Sequence, residues 1–247
     1  VYTGSDITPD ITLKLDGKIL VSGRDYTVSY ADNRDVTTEQ RKAEAVITAM
    51  GNYTGKLTVQ FDITAKTILP ADVSDIEAQE YTGSAIEPAV TIKNGTTILV
   101  EGRDYDVTYS DNVDKTKSAK AVVTGKGNYR GVVTKTFEIC ATSIAAAVVT
   151  GIPESVVYTG ESITFGGIQV QLNGKTMVYG SDYTVNYENN VNVTTEDAKA
   201  YVVIKGIDNY GGQLKAAFDI IPKDISGCKV DAINGQIYTV WELHSIT

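Results

Sequence analysis

The sequence is poor in the residues that carry out chemistry. In 247 residues it has one histidine, His244, two cysteines, Cys140 and Cys228, one tryptophan and two methionines. A Ser-His-Asp triad needs a histidine inside the folded body, and the only one stands near the C-terminus. Two cysteines make no disulfide framework and fit no zinc spacing. A bond between them would have to bridge two different repeats of the pattern described below, so both are expected to be unpaired. No apolar run approaches the ~20 residues that span a bilayer, and no membrane insertion is expected. Basic side chains are outnumbered, 22 against 31, for a formal net charge of −9. That balance argues against a nucleic-acid partner, whose phosphates need a basic surface, and equally against electrostatic attachment to a membrane. No glycine loop follows a strand and opens a helix as a phosphate site requires. Carboxylate pairs are everywhere in so acidic a chain and diagnose nothing. No signal peptide is visible, and the abrupt start at Val1 reads as a boundary. No catalytic, cofactor-binding or metal-binding residue is therefore expected, and no cofactor.

What is present is repetition. Hydrophobic residues make up 42% of the chain, enough for packed cores. The stretch Gly102-Arg103-Asp104-Tyr105-Asp106-Val107-Thr108-Tyr109 has two relatives. One is Gly23-Arg24-Asp25-Tyr26-Thr27-Val28-Ser29-Tyr30 and the other Gly180-Ser181-Asp182-Tyr183-Thr184-Val185-Asn186-Tyr187. Alternation at period two places Tyr, Val and Tyr on one face of a strand. Each repeat opens with Tyr-Thr-Gly, at Tyr2, Tyr81 and Tyr158, spacings of 79 and 77 residues. Asp16-Gly17, Asn94-Gly95 and Asn173-Gly174 then signal two-residue hairpins. A polar loop of variable length (34–42, 113–118, 191–197) precedes a β-rich strand, a turn at Asn52, Asn128 or Asn209, and a last strand. In that last strand Leu57, Val59, Phe61 and Ile63 share one face. Short strands, regular turns and no helical period predict an all-β chain of three tandem immunoglobulin-like β-sandwich repeats. A β-grasp-like unit is the alternative and needs a helix in the variable loop or in the lead segment that precedes each Tyr-Thr-Gly. The expected divisions are repeat 1 at 1–64, lacking its lead segment, repeat 2 at 65–140 and repeat 3 at 141–222. Residues 223–247 read as the lead segment of a truncated fourth repeat.

The repeated columns admit two readings each. Tyr26, Tyr30, Tyr105, Tyr109, Tyr183 and Tyr187 could form sugar-stacking platforms. Their place on the Val-bearing face, and their recurrence in every repeat, favour a core with the hydroxyls at its rim. Asp25, Asp104 and Asp182 could ligate calcium with Asp32 or Asp111. No EF-hand loop is present, and an Asx-turn, with the carboxylate accepting a backbone N–H, accounts for them. The asparagines at 33, 112 and 190, and at 52, 128 and 209, suit tight turns that need left-handed backbone. No lysine occupies an apolar repeated column, so a Lys–Asn cross-link is not expected. The sequons at Asn52, Asn94 and Asn192 are short motifs of little weight.

The combination Tyr-Thr-Gly, Gly-x-Asp-Tyr-x-Val-x-Tyr, Gly-Asn-Tyr-x-Gly and Phe-x-Ile resembles the tandem immunoglobulin-like or YDG/MBG-type β repeats of bacterial, mainly Gram-positive, cell-surface adhesin-like proteins. The likeness covers residues 1 to about 240, with departures at Ser181 and Asp208 in repeat three. It implies an extracellular array, cell-surface attached or secreted, acting as a stalk or adhesin segment, and supplies no catalytic residue. A module binding glycans or host extracellular proteins through variable loops and exposed tyrosines is the alternative. The spare lead segment at 223–237 suggests weak head-to-tail self-association by strand addition.

Overall fold

The computed structural model describes residues 1–231 and Gly235. Most of the stretch 223–247, read above as a fourth lead segment, lies outside the described residues, with Tyr238, Trp241 and His244. The chain is nearly all β; the helical content of the described residues is one 3-10 turn, Pro70–Asp72. No helix occupies the loops at 34–42, 113–118 or 191–197. The chain divides into two compact units, Val1–Thr142 with Asp208–Gly211, and Ser143–Ile207 with Gly212–Thr247.

In the first unit, Tyr26–Ala31, Ala43–Ala49 and Lys56–Phe61 form an antiparallel meander. Tyr105–Ser110, Thr116–Gly125 and Val132–Cys140 form another, and here the lead strand Gln79–Glu80 adds itself parallel to the last strand. The second unit repeats the four-stranded plan with Tyr183–Glu188, Ala200–Gly206, Gln213–Ile221 and the lead strand Ser155–Val157. The middle strand explains why large rings fit. Ala43, Ala119 and Ala200 stand opposite Phe61, Phe137 and Phe218, and Tyr30 and Tyr109 stand opposite Ala45 and Ala121. A small residue across from an aromatic leaves the ring room to lie along the sheet. Tyr109 accordingly meets Phe137 edge-on, with centroids 6.5 Å apart, as Tyr30 meets Phe61 at 6.4 Å.

A second layer closes each core. In repeat two, Ile68 and Val73 of the lead segment and Val90, Ile92 and Leu99 of the hairpin region pack with Tyr105, Val123 and Val133. Repeat one has the smaller cluster Leu20, Tyr26 and Ile47. Its last strand departs from the expected apolar face: Ile63 is buried, but Leu57 and Val59 remain 50% and 45% exposed. Lead residues share the core with Val133 in repeat two, whereas among the described residues none covers Leu57. The edge of Lys56–Phe61 likewise carries no parallel strand among those residues.

Turn registers differ from the sequence reading in two ways. Asp16-Gly17 and Asn173-Gly174 are two-residue loops with positive φ at both positions, the I′ pattern. In repeat two Asn94 pairs with Thr97, so the loop is Gly95-Thr96, and only Gly95 (φ 60°) is left-handed. The pattern is that of a II′ turn with glycine first. The chain is one residue longer between Gly95 and Gly102 than between Gly17 and Gly23, which displaces the turn. The left-handed residues near the asparagine columns sit one position early, at Asp32, Asp111 and Asn189 and at Gly51, Gly127 and Asp208. This leaves Asn33, Asn112 and Asn190 free to clamp their own repeats: each side-chain amide donates to Ile7, Ile86 or Ile163 O at 2.7–3.0 Å.

Tyr105 is 4% exposed and donates its hydroxyl hydrogen to Val90 O at 3.0 Å. Replacing it with alanine should destabilise repeat two by about 3–5 kcal/mol. Tyr105→Phe, which strands only the carbonyl, should cost roughly 1 kcal/mol. Urea unfolding measures both, and equal midpoints for the alanine variant and the parent would place the ring outside the core.

Candidate functional site

Tyr26, Tyr105 and Tyr183 are buried, and Tyr30, Tyr109 and Tyr187 are half-buried. The hydroxyls of Tyr26, Tyr30, Tyr105, Tyr109 and Tyr187 act inside the repeat. Tyr26 and Tyr30 donate to Ile11 and Pro9 O, and Tyr109 donates to Pro88 O. Tyr187 accepts the Phe165 N–H at 2.8 Å. None of the six is an exposed residue.

Asp25 and Asp104 are each 6% exposed. The expected Asx-turn is not what holds them, because the backbone partner lies four residues back and not two ahead. Asp25 Oδ2 accepts the Val21 N–H at 2.8 Å, while the Asp25 N–H donates to Val21 O, also at 2.8 Å. Arg24 adds a two-pronged guanidinium contact at 2.9 and 2.8 Å. Asp104 repeats the arrangement with Val100 and Arg103. Asp182 keeps the backbone bond to Val178, with Ser181 in the arginine position. Gly23, Gly102 and Gly180, at φ 81–82°, let the chain double back so that the aspartate reaches behind it. With their oxygens committed to N–H groups, these carboxylates are structural. Among the described residues no group of three or more His, Cys, Asp or Glu side chains is placed to hold a metal ion, and Cys140 and Cys228 are free thiols.

The turn asparagines have a longer reach than the sequence suggested. Asn128, in repeat two, accepts the Val36 N–H at 2.9 Å and donates to Asp35 at 2.8 Å, both in the variable loop of repeat one. Tyr2 packs edge-on against Tyr129 at 5.5 Å, and Lys66 N–H donates to Asn128 O at 3.0 Å. The first unit contains this clasp a second time. Asn209 bonds the Lys115 N–H and Asp114, Tyr210 meets Tyr81 at 5.5 Å, and Thr142 N–H donates to Asn209 O.

Two concave surfaces adjoin this repeated apparatus. A cleft of about 750 Å³ lies between repeats one and two, lined by Arg34, Arg41, Arg103, Asn94, Asn128 and Tyr129 among others. Asn94 is there because the displaced hairpin puts it in a strand, where it accepts from the Lys66 ammonium and donates to the Tyr129 hydroxyl. The second is an aromatic cleft of about 340 Å³ in repeat three, lined by Phe165, Tyr179, Tyr183 and Tyr187. Tyr179 is 67% exposed and lies edge-on to Tyr183 at 5.9 Å. Sequence columns missed Arg34, Arg41, Phe165 and Tyr179 because none of these four recurs. Comparing columns for departures would have flagged them: Tyr179 stands where repeats one and two have Ser22 and Glu101, and Phe165 where they have Pro9 and Pro88. No family model and no curated protein matches the chain.

The aspartate clamps set an acid response. Hydrogen bonds from Arg24 and then Val21 lower the Asp25 carboxyl to about 2, and Arg103 and Val100 lower that of Asp104 against the effect of burial. A carboxyl held below its ordinary value of ~3.9 stabilises the fold fully above that pH and loses its contribution as pH falls through the folded value. Urea midpoints should therefore drop between about pH 4 and pH 2. An Asp25→Asn/Asp104→Asn variant should start lower at pH 5 and fall less; a parent midpoint flat across this range would contradict the assignment.

Proposed function

We propose that the chain is a non-catalytic segment of an extracellular repeat array, three immunoglobulin-like units in series at 1–64, 65–140 and 141–222, serving as a stalk or adhesin segment of a bacterial surface protein. The observation that carries this reading is the clasp. One constellation, an asparagine on a preceding loop with a tyrosine edge-on to an opening tyrosine, occurs at Asn128 and Tyr129 and again at Asn209 and Tyr210. Compact units whose neighbour contacts repeat are the physical basis of quasi-one-dimensional arrays. The side chains best placed for chemistry are spent on holding the fold, as Asp25 and Asp104 are. The resemblance of the repeated motifs to surface adhesin repeats supports the same setting, outside the cell and attached or secreted.

A second reading, a carbohydrate- or host-protein-binding module, draws on the aromatic cleft of repeat three, where Tyr179 exposes a ring that packing does not require. The six column tyrosines do not contribute to it as exposed residues, with Tyr183 and Tyr187 forming the cleft floor.

Single-molecule stretching separates these ideas. An array of this kind should unfold in successive steps, each releasing about 25 nm of chain for a unit of some 75 residues at ~3.5 Å per residue. Asn128→Ala should remove the coupling between repeats one and two, lowering the first unit's stability by roughly 1–3 kcal/mol through the stranded Val36 N–H. One all-or-none rupture of the whole chain would overturn the reading as units in series.

A further inference from the structure

We propose that the cleft between repeats one and two binds an acidic oligosaccharide, with sugar carboxylates received by Arg34, Arg41 and Arg103. The chain carries five arginines and a net charge of −9, yet three of the five line this one surface. The two carboxylates of the cleft are already engaged: Asp104 holds Arg103, and Asp35 accepts from Asn128. Among the described residues no ion pair includes Arg34 or Arg41. Each spends one guanidinium N–H on a long backbone contact, to Gly4 O at 3.4 Å and Val36 O at 3.3 Å. Among the described residues no carboxylate claims their remaining donors.

The cations are also held in place. The loop that bears Arg34 and Arg41 is pinned at Val36 by Asn128 and at Thr37 by Ile63 O, 3.0 Å away, and Thr38 and Arg41 close a tight turn. Asp104 fixes the plane of Arg103 through Nε and Nη2. Rigid guanidinium forks match the planar carboxylate, and a pre-organised fork loses less freedom on binding than lysine does. The fold does not require this set. One repeat later the corresponding positions hold Val113, Lys117 and Ser181, while the Asn–Tyr clasp beside them is retained.

The rest of the lining selects a sugar over an acidic peptide. Asn94, Asn128, Thr3, Thr38 and Thr97 offer amide and hydroxyl groups suited to sugar hydroxyls. Val36 is the sole aliphatic residue of the lining, so the aliphatic pockets that give many peptide grooves their specificity are not offered by it. The volume falls in the range of roughly 300–1,000 Å³ common to small-ligand sites. The proposal goes beyond the array reading and does not need it: binding and stepwise unfolding are measured separately and can fail separately.

Titration calorimetry and amide-shift mapping on the full chain test it, with trigalacturonate as the probe, maltotriose as the uncharged sugar and hexaglutamate as the acidic peptide. Trigalacturonate should bind with Kd of about 1 mM or tighter. Its shifts should concentrate on residues 34–41, 94–97, 103–104 and 127–129. Arg34→Ala and Arg41→Ala, at exposed side chains, should each weaken binding roughly 3- to 10-fold with the melting curve unchanged. Arg34→Lys should fall between, keeping the charge without the fork. Raising NaCl should weaken the interaction. Absence of trigalacturonate binding, equal binding of maltotriose, tighter binding of hexaglutamate, or an Arg34→Ala/Arg41→Ala variant that binds as the parent does would each overturn the proposal. Should the alanine variants lose their fold, Arg34→Gln/Arg41→Gln makes the same comparison.

Discussion

A buried phenol must find an acceptor, and that requirement organises repeats one and two. Tyr26 and Tyr105 sink their rings into the core and reach the carbonyl fifteen residues earlier, at Ile11 and Val90. Leaving such a hydroxyl unpaired costs about 1–3 kcal/mol, a large share of what a small unit has to spare. The bond therefore fixes how far the hairpin region stands from the sheet. It also makes the intervening turn tolerant: the loop moves by one residue in repeat two, yet Ile92 and Leu99 still pair across it. What the tyrosine demands is the position of a carbonyl, and two different hairpins supply it.

Around that invariant frame the repeats are free to diverge, and they do so at surfaces. The clamp of Asp104 to the Val100 backbone recurs at all three positions, but its arginine does not recur in repeat three. The loop after the Tyr-Val-Tyr strand keeps the threonine that bonds the last strand, as at Thr37 and Thr194, while its other side chains change character. Divergence beside a shared attachment point gathers arginines at one junction and gives one repeat an aromatic hollow.

The columns were legible because period-two alternation is a local signal. Tyr105 and Val107 share a face whatever the rest of the chain does. The all-β class followed for the same reason. Other features depend on contacts that sequence distance hides. Asn128 reads as a turn former, but the left-handed residue is Gly127, and the asparagine is placed to reach across 92 residues to Val36. Asp25 reads as an Asx-turn because such turns run forward, whereas the glycine before it folds the chain back on Val21. Leu57 and Val59 read as core because pattern records a face and not what covers it; the covering residues in repeat two, Ile68 and Val73, belong to the lead segment. The arginine cleft combines five separate stretches of chain, none of which is unusual alone.

The lead strand has a mechanical meaning. Gln79–Glu80 runs parallel to the last strand, with Gln79 beside Ile139 and Glu80 beside Cys140. The end of the lead segment and the last strand of repeat two therefore lie side by side and run in the same direction. Tension applied at the two ends draws these neighbours past each other lengthwise. The hydrogen bonds between them are loaded together, in shear, and do not open one after another as in an antiparallel hairpin pulled from its free ends. The short strand that completes the sheet is thus also the latch that must slip before the repeat can lengthen.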